Sequence, residues 1–434
     1  AYKDSGVAWL GEVPGHWEIT PLYAVATERD ESNAGMLQDN LLSLSYGKIV
    51  NKDINSNDGL LPESFETYQI VRCDDIVFRL TDLQNDKRSL RSALVKQDGI
   101  ITSAYLAIQP NDANAYYLSY LFRSYDTTKV FYSMGGGLRQ SMKFSDMKRL
   151  PTLLPPPEEQ TAIATFLDHE TAKIDALVAE QEKLIALLQE KRQAVISHAV
   201  TKGLNPHAPM KDSGVEWLGE VPGHWIVGKC GFYLQILSGF AFPSGGFSSD
   251  DSNHRLLRGV NVGVSRLKWD DVVYWQRTEG DGLDDYEMAE GDLVIGMDRP
   301  LIGEGMRIAK VAAEDLPSLL LQRVASLKVG GKLHTDYLHC SLASEMFVAH
   351  FSPETTGVSV PHISPDQIKN FVIPVPPIHE QIEIVNDVKK SLAKLGALIT
   401  ESETAITLLQ ERRTALISAA VTGQIDVRGW AKVA

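Results

Sequence analysis

Apolar side chains recur with three-four spacing through Glu158 to Thr201, a stretch that contains neither Pro nor Gly. Leu167, Ile174, Leu177, Leu184, Leu188 and Val195 fill the apolar places, and Glu170, Gln181, Lys191 and His198 interrupt them. That period, in good helix formers preceded by Pro155, Pro156 and Pro157, predicts one helix of about 43 residues. Adding 221 to each position gives Val388, Ser391, Leu395, Leu398, Ser402, Ala405, Leu409, Arg412, Leu416 and Ala419, with apolar and polar places matched except at Ala419. Two helices in one heptad register can pack along each other, and the interruptions at Glu170/Ser391, Gln181/Ser402 and Lys191/Arg412 would help to fix their alignment.

Elsewhere the pattern changes to short apolar runs bounded by turn residues, which predict strands at 41–44, 76–78 and 106–108, and again at 293–295 and 324–327. Helices are expected at 116–123 and 337–347. Residues 18–153 and 226–374 are each about the size of one mixed α/β domain and share a faint skeleton: Asp75-Ile76-Val77 matches Asp292-Leu293-Val294, and Met147-Lys148 matches Ile368-Lys369. Otherwise the two stretches differ.

Their flanks do not. Lys3 to Trp17 reads KDSGVAWLGEVPGHW and Lys211 to Trp225 reads KDSGVEWLGEVPGHW, so only Ala8 and Glu216 differ. Pro156-Pro157-Glu158-Glu159-Gln160 answers to Pro377-Ile378-His379-Glu380-Gln381, and Leu187 to Arg192 answers to Leu408 to Arg413. Internal repetition fixes the architecture. The chain is a duplicated unit: a frame at 1–17, an insert at 18–153, a helix and linker at 154–210, the second frame at 211–225, a second insert at 226–374, and a second helix and tail at 375–434. The expected fold class is α+β, with two mixed α/β domains separated by a long antiparallel two-helix coiled-coil spacer about a pseudo-twofold axis. Antiparallel pairing follows from topology, because two equal halves close most readily about such an axis. At 1.5 Å per residue each helix would run about 60 Å, somewhat under two turns of B-DNA.

Charge sharpens the picture. The net charge of −14 argues against a nucleic-acid partner, since phosphate neutralisation needs clustered bases. Its distribution argues the other way: Glu158 to Glu190 holds eight acids against Lys173 and Lys183, whereas Arg139, Lys143, Lys148 and Arg149 face only Asp146, and Arg255, Arg258, Arg266, Lys268 and Arg277 face Asp270 and Asp271. The acid lies in the helices and the base in the inserts. Cys73, Cys230 and Cys340 fit neither a disulfide framework nor metal-ligand spacing, so a reducing cytoplasm is expected. No export signal or membrane-spanning run is read.

After each Asp-aliphatic-Val strand comes a polar stretch rich in side chains that can pair with purine edges. In the first insert these are Arg79, Asp82, Gln84, Lys87, Arg88 and Arg91, joined by Gly137, Arg139, Gln140 and Lys143 around the loop Gly135 to Ser141. In the second they are Asp298, Arg299 and Arg307, joined by Arg258, Asn261, Gln322, Arg323, Ser359 and His362. Most such stretches are simply solvated, and the glycine loop reads either as a close backbone approach or as a flexible surface loop. His16, Trp17, His224 and Trp225 are identical in the two frames and are assigned to packing where frame meets insert.

Chemistry-bearing motifs are missing. Leu154 and Val375, which precede the prolines, cannot accept an adenine amino group, and Gly330-Gly331-Lys332 is followed by Leu333 rather than the Ser or Thr of a phosphate loop. There is no G-x-S-x-G elbow, HExxH helix or nuclease carboxylate-lysine cluster.

The doubled frame, the divergent inserts, the Pro-Pro-x-x-Glu-Gln helix start and the Arg-x-Ala-Val/Leu-Ile-Ser-x-Ala-Val-Thr helix end (Arg192 to Thr201, Arg413 to Thr422) together resemble the specificity subunit of type I DNA restriction-modification enzymes. The resemblance covers essentially the whole chain. It implies that each insert is a target recognition domain reading one half of a bipartite, asymmetric sequence in double-stranded DNA. It also implies two modification subunits that bring S-adenosylmethionine and methylate adenine, and restriction subunits that bring ATP- and Mg-dependent translocation and cleavage. No cofactor and no catalysis would reside in this chain. The competing expectation is a coiled-coil adaptor that displays two protein-binding domains, which suits the acidic charge better and the unequal inserts worse.

Overall fold

The computed structural model describes residues 1–54, 62, 64–81, 83, 90–134, 142–302, 305–355 and 362–430. The chain forms two compact units, one from Ala1–Glu182 with Glu403–Ala434 and the other from Lys183–Ser402.

In the first unit the frame folds as a hairpin, Tyr2–Asp4 against Glu12–Pro14. A four-stranded antiparallel sheet follows, ordered Ala26–Glu28, Leu106–Pro110, Ile76–Phe78, Ser92–Leu94. Ile76, Val77 and Phe78 are all fully buried, which explains why this strand reads as a continuous apolar run rather than an alternating one. Helix Ala115–Thr127 is capped by Asn114, whose Oδ1 accepts from the amides of Tyr116 and Tyr117 at 3.0 and 3.1 Å. It packs Tyr117, Leu118, Leu121 and Phe122 on the sheet. Strand Pro151–Leu154 then returns to pair with Glu18–Pro21 and closes the insert onto its own entrance.

The second unit repeats this plan. Its frame hairpin is Met210–Asp212 against Glu220–Pro222, its sheet is ordered Leu234–Ser238, Val324–Val329, Leu293–Gly296, Ile308–Lys310, and Val372–Val375 closes on Ile226–Lys229. The strand order relative to the chain is the same in both sheets, so the faint skeleton in the sequence is a shared topology. Helix Thr335–Leu342 takes the place of Ala115–Thr127. Each unit also carries smaller pairings: in the first, Leu42–Ser45 pairs antiparallel with Lys48–Asn51 and Leu41 bridges Ile100 in parallel; in the second, His254–Leu257 pairs antiparallel with Tyr274–Trp275 and parallel with Ser318–Leu320.

The expected long helices are Pro157–Lys202 and Ile378–Val421, of 46 and 44 residues. Each stops at a left-handed glycine. Gly203 (φ +72°) lies against Trp225, where an added Cβ would come 3.0 Å from Cζ2, and Gly423 (φ +76°) lies against Pro14 and Trp17. The pairing is antiparallel. In the first unit Ile163, Ala164 and Leu167 share a core with Ile417, Ala420 and Val421, and Asp175 pairs with Arg413 at 2.9 Å. In the second unit Ile196, Ala199 and Val200 share a core with Ile384, Val385 and Val388.

The heptad register differs from the expected one. The buried and half-buried stripe runs through Leu167, Thr171, Ile174, Val178, Gln181, Ile185, Leu188 and Val195, and its image through Val388, Leu392, Leu395, Ile399, Ser402, Ile406, Leu409 and Leu416. Leu177, Leu184 and Leu398, expected on the seam, are 50%, 41% and 47% exposed. Adjacent apolar pairs such as Leu177-Val178 and Leu184-Ile185 allow either choice of every second seam position. The observed register leaves Lys191 and Arg412 exposed and brings Arg192 and Arg413 to the corresponding place, where half-buried Arg413 pairs with Asp175.

Candidate nucleic-acid interface

Each insert is held by a cluster of side chains that repeats in both units. Glu159 accepts from Trp17 Nε1 and meets His16 Nε2, both at 2.8 Å, while Glu380 accepts from Trp225 Nε1 at 3.0 Å and meets His224 Nε2 at 2.8 Å. Trp17 and Trp225 are buried in cores that contain insert residues, as expected of packing where frame meets insert, while the polar edges of all four residues engage the first turn of the long helix, where a carboxylate also suits the helix dipole. The neighbouring Gln reaches the insert. Gln160 accepts from the Asn114 amide at 2.8 Å and donates to Pro155 O at 2.8 Å; Gln381 accepts from the His334 amide at 2.8 Å and donates to Pro376 O at 2.8 Å.

A buried tyrosine completes the attachment. Tyr117 Oη lies 3.0 Å from Leu153 O and 3.4 Å from Val421 O, and Tyr337 Oη lies 2.9 Å from Pro374 O and 3.2 Å from Val200 O. Each phenol therefore binds an insert both to its closing strand and to the end of a long helix. Burial raises both phenol pKa values well above the ordinary one. The Glu-Gln pair stood in both repeats but was read only as part of a helix start, and the tyrosines were legible only as apolar helix positions.

The candidate contact residues separate into three groups. Asp82, Gln84, Lys87, Arg88, Gly137, Arg139, Gln140 and Ser359 lie outside the described residues. A second group is used by the fold. Arg91 is fully buried, with Nη1 3.0 Å from Thr81 O and 3.4 Å from Arg79 O and Nε 3.4 Å from Tyr132 Oη. Its amide meets the buried Asp126 carboxylate, whose pKa burial raises. This corrects the reading of Arg91 as a base contact, because its guanidinium is spent on carbonyls beneath the sheet. Asn261 is also buried, donating to Lys268 O at 2.9 Å and Asp271 O at 2.8 Å and accepting from the Arg258 amide at 3.1 Å. Arg258 Nη2 binds the same Asp271 through its carbonyl at 2.6 Å and its carboxylate at 2.8 Å. Both residues staple the loop 258–271. Arg307 donates from Nε to Val262 O at 2.8 Å and from Nη1 to Asp298 O at 3.3 Å, and burial lowers its pKa.

The third group faces solvent. Arg79 is half-buried beside its strand, and Lys143 is exposed at the start of the turn Phe144–Met147, where its amide donates to Asp146 Oδ2 at 2.9 Å. In the second unit Asp298, Arg299, Gln322, Arg323 and His362 gather at the ends of Leu293–Gly296 and Val324–Val329, with His362 Nδ1 2.8 Å and Arg323 Nε 3.7 Å from the Asp298 carboxylate. Sheet register matches Ile108 to Leu327 through their partners Ile76 and Leu293. By that register the first unit carries Thr81 in place of Asp298 and Ala104 in place of Arg323. The two sheets thus present different side chains from matched positions.

Among the described residues no group of three or more His, Cys, Asp or Glu side chains could hold a metal ion, and no helix is long and apolar enough to cross a membrane.

The two mixed α/β inserts, each clamped to the long helices by the same His-Trp-Glu-Gln-Tyr set, define a duplicated scaffold. No protein-family model matches the chain. Over 206 residues it is 34% identical to the type I restriction enzyme EcoAI specificity subunit of Escherichia coli, a match that spans 47% of this chain and 34% of that one. It is 25% identical over 396 residues to the type I restriction enzyme MjaVIII specificity subunit of Methanocaldococcus jannaschii, spanning 90% and 85%. Two solved structures share the fold at 18% identity: a chain of a type I R-M system, with a TM-score of 0.67 over 95% of this chain and 99% of that one, and the HsdS subunit from Thermoanaerobacter tengcongensis, with a TM-score of 0.51 over 95% and 98%. By sequence the chain is similar to type I restriction enzyme specificity subunits, over about a third of the length of the first of these relatives and most of the length of the second.

Proposed function

We propose that this chain is the sequence-reading subunit of a type I restriction-modification complex and acts in the cytoplasm. Each α/β insert reads one half of a bipartite, asymmetric target in double-stranded DNA, and the paired helices set the length of unread sequence between the halves. Two modification subunits, carrying S-adenosylmethionine, and restriction subunits, using ATP and Mg, dock on it. This chain performs no catalysis and holds the duplex in register while its partner reaches the target adenine. The observation that carries this reading is the pairing of an identical attachment cluster with different side chains at matched sheet-end positions, Asp298 and Arg323 against Thr81 and Ala104. A scaffold that keeps its joints and varies its tips suits two independent readers.

The test is co-expression with the modification subunit, followed by genome-wide mapping of N6-methyladenine. A split motif with a methylated adenine in each half supports the reading. No new methylation, with the partner folded and bound, favours the adaptor, to which the net charge of −14 is better suited. Exchanging residues 18–153 for an unrelated insert then changes one half of the motif only, and a change in both halves contradicts independent readers.

A further inference from the structure

Three segments of the second unit are tied together by main-chain bonds where its sheet ends. The Met297 amide donates to Arg323 O at 2.9 Å, the Ile363 amide donates to Met297 O at 2.9 Å, and Asp298 and His362 form an antiparallel bridge. The Asp298 carboxylate is thereby placed between two side chains: His362 Nδ1 holds Oδ1 at 2.8 Å, and Arg323 Nε lies 3.7 Å from Oδ2. Arg323 sits in a sharp turn at φ +73°, a left-handed conformation unfavourable for a residue with a Cβ.

The carboxylate lies nearest the inner, Nε edge of the guanidinium, at ion-pair rather than hydrogen-bond distance. The side chain remains 55% exposed, and among the described residues its two terminal nitrogens meet no acceptor. A guanidinium steadied on its inner edge presents two parallel N–H donors outward. In the major groove, guanine is the base that offers two neighbouring acceptors, O6 and N7, whereas adenine pairs an acceptor with a donor. A phosphate also offers two acceptors, but the carboxylate behind Arg323 disfavours an anion relative to a neutral base edge.

We propose that Arg323 selects a guanine in the half-site read by the second unit, with Asp298 and His362 as positioning residues that aim it. This rests on the reading of the chain as a DNA-binding subunit. The first unit, with Ala104 and Thr81 at the matched places, has no such pair there and specifies its half by other means.

The test uses the full chain co-expressed with its modification subunit, comparing the methylated motifs of wild type, Arg323→Gln, Arg323→Lys and Asp298→Asn. A wild-type chain that yields no split motif overturns the DNA reading itself, and the inference with it. Given a wild-type motif, Arg323→Gln is expected to change one guanine position in one half, towards adenine, with preference shifting roughly 10- to 100-fold while the other half stays intact. Asp298→Asn is expected to loosen that same position and no other; a merely structural role would weaken the whole half instead. An unchanged motif with uniformly reduced methylation in Arg323→Gln overturns the proposal and marks a phosphate contact. Should Arg323→Gln abolish methylation, Arg323→Lys decides: a guanine preference kept at one position supports the assignment, and silence from a folded protein overturns it.

Discussion

Ile174 and Leu177 lie three residues apart on the first long helix; both possible seams contain Ile174, but only the expected one contains Leu177. Ile174 is 4% exposed and Leu177 is 50% exposed. Replacing Ile174 by Ala removes three buried carbons, worth about 2.4 kcal/mol at roughly 0.8 kcal/mol each, and the cavity left behind adds to that. A seam between two helices can partly collapse, so a total of about 2–3 kcal/mol is expected. Leu177→Ala trims a half-exposed side chain and inserts the best helix former, so its cost stays within about 0.5 kcal/mol. Both residues belong to the first compact unit, whose size makes each kcal/mol worth roughly 2–4 °C in Tm. Ile174→Ala should therefore melt that unit roughly 5–10 °C earlier, and Leu177→Ala should leave it nearly unmoved. Urea titration followed by circular dichroism, with the slope checked for constancy, measures both on the isolated chain. Equal losses from the two substitutions would refute the observed register, and a cost below about 0.5 kcal/mol at Ile174 would remove the seam from the stability of this unit.

Tyr337→Phe removes a buried hydroxyl that reaches two carbonyls, at 2.9 and 3.2 Å, and is expected to cost the second unit about 1–2 kcal/mol by urea titration, with Tyr117→Phe doing the same to the first. Glu380→Ala leaves Trp225 Nε1 and His224 without their acceptor, and should raise the protease sensitivity of the frame at 211–225 while sparing the frame at 1–17. His339 is mostly buried, its Nε2 has no hydrogen-bond partner among the described residues, and burial lowers its pKa from the ordinary 6.5. The unfolded chain then binds a proton more readily than the folded one, so this contribution is intact above pH 6.5 and declines as pH falls from 6.5 toward the lower folded pKa. His339→Gln should flatten that part of the urea midpoint against pH profile, and an unchanged slope would assign it to another group.

Much of the architecture was legible because duplication reports itself: equal frames, equal helix starts and equal helix ends mark the shared scaffold without any contact being known. The strands at Ile76–Phe78 and Leu293–Gly296 were legible because full burial gives an unbroken apolar run. The pair His254–Leu257 and Tyr274–Trp275 was not, since strands of four and two residues are too short to carry a clear period. The seam was half legible: positions every seven residues from Leu167 held, but Leu177-Val178 left the alternate positions undecided. Arg91 and Asn261 failed for a different reason. Their partners are main-chain carbonyls, which every residue supplies, so a buried Arg or Asn has no companion in the sequence to distinguish it from an exposed one.

That same property explains how one scaffold can hold two unlike inserts. Tyr117 and Tyr337 bind main-chain oxygens, Gln160 and Gln381 bind main-chain amides and carbonyls, and Glu159 and Glu380 bind side chains of the repeated frame. None of these bonds depends on a variable side chain of the insert, only on the insert bringing its closing strand and helix start to the same place. The cluster Asp298, Arg323 and His362 is joined side chain to side chain, so it exists only where those residues do. Attachment by backbone and presentation by side chain are therefore separable, and substitution at the sheet ends can proceed without loosening the joint. A residue that both held an insert to the helices and made contact through its side chain beyond the chain would break this separation, and the polar bonds of the two attachment clusters described above are all made to partners within the chain.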